Sequence, residues 1–159
     1  MNQPDPVHVL LLGIGNLLMG DEGVGVAVTR AFARTRAPQP AVRVLDGGTL
    51  SFSLAGPIAE CARLIVVDAA ALGEPPGSVR LFEDEAMDRQ LRLHARSVHE
   101  VSLADLLDIA RLTDTLPARR ALIGIEPAFV GWRAELTPAV AAAVPAALAH
   151  IDVLLARWD

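Results

Sequence analysis

Five short apolar runs constrain this chain most. Each is stopped by a glycine or an acid, and polar or amphipathic stretches separate them. The runs are His8–Leu12, Val42–Leu45, Arg63–Val67, Val79–Phe82 and Arg120–Ile125. Their length and β-branched content predict strands. Between them, Glu22–Arg34 places Val24, Val28, Ala31 and Phe32 on one helical face, and Val101–Leu112 does the same with Leu103, Leu106, Leu107 and Ala110. Leu50–Cys61 reads as a helix weakened in its middle by Gly56-Pro57, and part of Glu83–Ser97 as a short helix. Thr137-Pro138 reads as the N-cap and first-turn proline of a last helix that runs to about Arg157, with a kink at Pro145. Strands alternating with helices predict an α/β fold. The expected form is a three-layer sandwich, with a mostly parallel central sheet of about five strands, helices on both faces and Val79–Phe82 at an edge. Residues 1–159 are read as one domain.

In such sheets ligands bind outside the carboxyl ends of the strands. Three of those ends carry acids: Asp21 and Glu22 after the first strand, Asp46 after the second, Asp68 after the third. The first turn, GIGNLLMGDEGVG, resembles a nucleotide loop only in part. Gly13 and Gly15 fit G-x-G-x-x-G, but the third position is Leu18. All 14 basic residues are arginines, so a P-loop lysine is excluded. The formal net charge of -5 argues against nucleic-acid or anionic-membrane partners. The start lacks the basic region of a signal peptide, and no stretch is read as long and apolar enough to span a bilayer. Cys61 stands alone and is assigned to the core. The expectation is a soluble, cytoplasmic protein.

An acid at a helix start has a structural explanation, as N-cap or first-turn residue. That explanation suffices for Asp21. Asp68 closes the apolar run RLIVV, where a carboxylate needs a partner, a metal or a helix to cap. His99 precedes the Val101–Leu112 helix. The zinc-peptidase pattern HExxH fails there, because the residue four positions on is Leu103. Imidazole with carboxylates suits a divalent ion such as nickel or zinc, and three ligands leave a position open. No G-x-S-x-G nucleophile elbow is present. Glu100, Asp105 and Asp108 on the same helix read as solvated or supporting groups, and Arg89, Arg92 and Arg96 as facing water.

The segments LLLGIGNLLMGDEGVGV, VLDGGT, LIVVDA, PGSVRLF, HEVSLADLL, IGIEP and LTPAV occur in that order along nearly the whole chain. Together they resemble the nickel–iron hydrogenase maturation endopeptidases, which trim the carboxyl-terminal tail of a hydrogenase large-subunit precursor. The resemblance implies that Glu22, Asp68 and His99 are the metal-ligating residues. Choosing Glu22 over its neighbour Asp21 rests on the family match alone. It implies further that the metal is nickel carried by the precursor, with no nucleotide cofactor. The incomplete ligand set agrees, since a structural site generally has four ligands. Asp46, Gly47, Gly48 and Asn16 are candidates for holding the substrate, and Glu126 is a weaker one. Asp68 and Glu22 are the candidate catalytic groups, with the nucleophile left open. The expected partner is the precursor, and a monomer is the default. Two rival readings are a non-catalytic nickel carrier and a Rossmann-like nucleotide-binding module.

Overall fold

The computed structural model describes residues 8–93 and 101–159. Strand β1 (Val9–Ile14) is buried throughout. It is followed by a 3-10 turn, Asp21–Gly23, that runs into helix α1 (Val24–Thr35). Next come β2 (Val42–Gly48), a 3-10 turn at Phe52–Leu54, α2 (Ala55–Glu60) and β3 (Arg63–Ala69). The chain continues through β4 (Val79–Glu83), α3 (Glu85–Leu93), α4 (Leu103–Leu112), β5 (Arg119–Ile125), α5 (Pro138–Ala141) and α6 (Val144–Arg157). The five strands form one sheet in the order β2-β1-β3-β5-β4. Three of the four pairings are parallel, and β4 alone runs antiparallel, against β5. The expected α/β sandwich is observed, with β4 at an edge.

Side-chain alternation along the central strands divides the core in two. Val9, Leu11, Ile65 and Val67 face α1, α5 and α6, where Val28, Phe32, Val140 and Ile151 meet them. Leu10, Leu12, Leu64 and Val66 face α2, α3 and α4, where Ile58, Met87, Leu106 and Leu107 meet them. Each such side chain, fully buried, contributes about 1.5–3 kcal/mol. Cys61 belongs to the second cluster; burial pushes its thiol up to about 11, and its S–H donates to the Ile58 carbonyl.

Three expectations are corrected. Leu50–Cys61 is not one helix, because Gly56 and Pro57 fall in the first turn of the six-residue α2, where proline needs no hydrogen bond. The last helix is broken rather than kinked: α5 ends at Ala141, and Pro145 lies in the first turn of α6 instead of its interior. Pro138–Arg157, 20 residues, is by length and composition apolar enough to cross a membrane, with a mean hydropathy of 1.9 over an 18-residue window. In this fold its Val140, Ala143, Ala147, Ile151 and Leu154 pack into the core.

Candidate functional site

The sheet order makes β1 and β3 the switch point. The chain leaves β1 toward β2 on one side and returns to β3 on the other, which opens a crevice at their carboxyl ends. Two glycines with no room for a side chain draw the Glu22 turn onto that crevice. A Cβ at Gly15, where φ is +129°, would lie 1.8 Å from the Glu22 carbonyl oxygen. One at Gly25 would lie 2.1 Å from the Val67 oxygen and 2.5 Å from the Ile14 oxygen. Val67 is the residue before Asp68. The sequence therefore packs the start of α1 directly against the end of β3. Glu22 and Asp68, both partly exposed, flank the same crevice.

Asp68 continues the alternation of Leu64 and Val66 and so belongs to the α3–α4 side of the sheet. It lines a cavity of about 200 Å³ with Ala70, Gln90 and Leu91. A larger cavity, about 530 Å³, lies at the opposite end of the sheet among Val9, Val42, Arg63 and Trp158. The carboxyl ends carry the acids and the switch point, so the site is assigned there. His99 and Glu100 lie outside the described residues, as do His94 and Arg96. α3 contributes Gln90 and Leu91 to the Asp68 cavity, and α4 packs against α3. Among the described residues, no three His, Cys, Asp or Glu side chains are grouped closely enough to hold a metal. A ligand set of Glu22, Asp68 and His99 has one member outside them.

The other predicted residues fall in separate places. Asp46 is on the α1 face of the sheet. One carboxylate oxygen pairs with Arg30 at 3.0 Å and the other accepts from the Gly48 amide at 3.0 Å. Gly48 in turn accepts from the Gly15 amide at 2.9 Å, so Asp46, Gly47 and Gly48, which continue β2 instead of forming the expected turn, brace the loop after β1. Asn16 satisfies that loop internally, its side-chain oxygen accepting from the Leu18 amide at 2.9 Å. Glu126 holds the connection after β3, its carboxylate accepting from the Leu72 amide. On α4, Asp105 forms a capping box with Ser102, and Asp108 pairs with Arg111. Arg89 and Arg92 are exposed.

Asp21 is the largest correction. It does not cap the helix, since Gly23 occupies the N-cap position of α1 and Asp21 is the first residue of the 3-10 turn before it. Its side chain is fully buried and accepts four hydrogen bonds. Oδ2 accepts from the Ala128 amide at 2.9 Å, the Phe129 amide at 3.0 Å and the Thr137 hydroxyl at 2.8 Å. Oδ1 accepts from the Thr137 amide at 2.8 Å. Thr137 does occupy the expected N-cap position of α5, but its hydroxyl serves Asp21 instead of its own helix.

The segment held by Asp21 was not singled out from the sequence. Its backbone pairs with the loop after β1, through bridges of Gly20 to Val130 and Met19 to Arg133. Phe129, Val130 and Trp132 project from it, and Leu18 from the loop opposite, all exposed; Trp132 is 81% accessible. The available signal was PAFVGW, three large apolar residues beside a proline and a glycine in a stretch read as inter-element.

Residues 26–152 match the family described as HycI, hydrogenase maturation protease. The hydrogenase 2 maturation protease of Escherichia coli K12 is 33% identical over 146 residues, covering 91% of this chain and 88% of that protein. The hydrogenase expression/formation protein HupD of Rhizobium leguminosarum bv. viciae is 33% identical, covering 99% and 79%. The solved structure of the hydrogenase maturating endopeptidase HybD from E. coli superposes with a TM-score of 0.88 at 32% identity, covering 94% of this chain and 93% of that one.

Proposed function

The chain belongs to the hydrogenase maturation protease family and is an endopeptidase, and from that premise we propose its substrate and its recognition element. The substrate is the nickel-loaded large-subunit precursor of a nickel–iron hydrogenase, from which the enzyme removes the carboxyl-terminal tail. The recognition element is the precursor's own nickel, met by Glu22, Asp68 and His99.

One observation carries this reading. The close approach of Gly25 to Val67 packs the Glu22 turn against the strand that carries Asp68, at the switch point of the sheet. Carboxylates paired with an imidazole suit a borderline divalent cation, and three protein ligands leave room for groups of the precursor. The exposed Leu18, Phe129, Val130 and Trp132 beside that turn support a macromolecular substrate, because exposed apolar side chains so grouped mark contact surfaces.

In this reading the metal fixes the tail relative to the enzyme. Holding the scissile bond in one geometry removes much of the entropic barrier to its attack. A carboxylate that ligates metal is a poor base while bound, so Glu22 and Asp68 act first as ligands. Asp46 and Asn16 keep the loop that frames the crevice in shape, and the Gly47-Gly48 backbone lies beside it.

The test is intact-mass spectrometry of the precursor, nickel-loaded and nickel-free, before and after incubation with wild-type enzyme or Asp68→Asn. Loss of a carboxyl-terminal peptide only with nickel and only with wild-type enzyme is expected. Equal cleavage of nickel-free precursor would sink the recognition role. Metal binding with no cleavage would favour the carrier.

A further inference from the structure

We infer that Asp21 is a positioning residue of the peptidase site: its carboxylate locks the segment 128–137 to the turn that carries Glu22, so that the two present one fixed geometry to the precursor. The inference rests on the reading that Glu22 meets the precursor's metal.

The four bonds reach both ends of that segment. Ala128 and Phe129 stand at its start and Thr137 at its end. The backbone of the same residue joins in: the Asp21 amide donates to the Phe129 carbonyl at 3.0 Å, while the Phe129 amide donates to the Asp21 carboxylate. One residue earlier, the Gly20 amide donates to the Arg133 carbonyl at 2.9 Å, and the Arg133 amide donates to the Leu18 carbonyl at 3.1 Å. On the other side of Asp21, the Glu22 carbonyl is wedged against Gly15. The peptide unit that joins Asp21 to Glu22 is therefore fixed from both directions.

A fully buried carboxylate does not touch the substrate. It acts through what it holds. Four donors aimed at one carboxylate offset the cost of burying it and set direction as well as distance. Neutral asparagine cannot replace it, because its NH2 group would face one of the four donors. What Asp21 holds is also specific in place. The segment carries the exposed Phe129, Val130 and Trp132, and the turn carries Glu22.

Steady-state cleavage of the nickel-loaded precursor tests the role. The enzymes compared are wild type, Asp21→Asn, Thr137→Val and Thr137→Ser, each assayed well below its own Tm. For Asp21→Asn the kcat is expected to fall about tenfold or more, as small misplacements of reacting groups do. Thr137→Val removes one donor at constant shape and should lose less. Thr137→Ser retains the hydroxyl and should stay near wild type. A residue that only stabilises the fold would lower Tm and leave kcat and KM of the folded enzyme unchanged; that result overturns the proposal. If Asp21→Asn does not fold, Thr137→Val with its serine rescue carries the same comparison. If the wild-type enzyme leaves the precursor intact, the functional reading fails, and amide hydrogen exchange then decides the coupling. Faster exchange in Thr137→Val, both in 128–137 and at Glu22 and Gly23, supports it. Faster exchange confined to 128–137 overturns it.

Discussion

Asp21 and Glu22 lie one peptide bond apart at the same helix start, and their surroundings differ completely. Glu22 is partly exposed at the crevice, whereas Asp21 is sealed beneath the segment it holds. Burial by itself would push the Asp21 carboxyl up. The hydrogen bonds from the Thr137 amide and hydroxyl and from the Ala128 and Phe129 amides outweigh it and hold the group below the ordinary aspartate range. An unfolded aspartate titrates at about 3.9. The folded value is lower, so between the two values the unfolded chain binds more protons than the folded one. The stabilisation is complete above that unfolded value and is lost as pH falls through the folded one. Urea midpoints measured from neutral pH down past about pH 4 should therefore drop more steeply for wild type than for Asp21→Asn. Parallel curves would show that another group is linked to unfolding. The two acids are indistinguishable in the sequence because the donors to Asp21 lie 107 to 116 positions downstream. Local rules offer only a helix cap at that position. The place of Asp68 was legible for the opposite reason: the four apolar residues before it, Leu64, Ile65, Val66 and Val67, announce a central strand, and a strand end is where this architecture places ligands.

The elements that were read most accurately have one-sided patterns. α1 and α4 bury the faces their spacing marks, and β1, β3 and β5 are the short apolar runs. Misreadings occur where proline sits near an element end, at Pro57 and Pro145. There the same residue can interrupt one helix or start another. The direction of β4 is not encoded in its own residues. It follows from the connection after β3, residues 70–78, which contains no crossover helix. A second feature beyond local reading joins α3 to β5. Arg120, 7% exposed, pairs with Asp88 through Nε at 2.9 Å and Nη2 at 2.6 Å, and Arg111 of α4 adds a third contact at 2.8 Å. Burial opposes ionisation of Asp88, but the two guanidinium groups hold its carboxyl below the ordinary range. Removing one partner of a buried pair strands the other. Asp88→Ala should cost about 3–5 kcal/mol in urea unfolding. A loss under about 1 kcal/mol would place this pair among solvated surface bridges.

At the scale of the whole molecule, the helix layers bury the two faces of the sheet, and an apolar group is left at its carboxyl edge. Phe129, Val130 and Trp132 occupy a segment whose backbone is already bonded, so their exposure accompanies an ordered main chain. Ordered exposed aromatics are suited to docking, because little freedom remains to be lost on contact. Trp132→Ala should therefore raise KM for the precursor about fivefold or more, as truncation of an interface aromatic does, and change stability by no more than about 0.5 kcal/mol. An unchanged KM would remove Trp132 from the contact surface. The fold class, the switch point and the acids around it were readable from pattern and order. This edge was not, because apolar residues between elements resemble core until the elements are placed.

The distance along the chain between Asp21 and its partners also has a meaning in time. A nascent chain already contains Glu22 and Asp68 long before it contains Thr137. Until that threonine has left the ribosome, Asp21 lacks two of its four donors and the far end of the segment 128–137 has no anchor. With the positioning role inferred for Asp21, competence to cut arrives with the final helices. On that role, an unfinished chain carries Glu22 and Asp68 but not the threonine that completes the lock on the Glu22 turn.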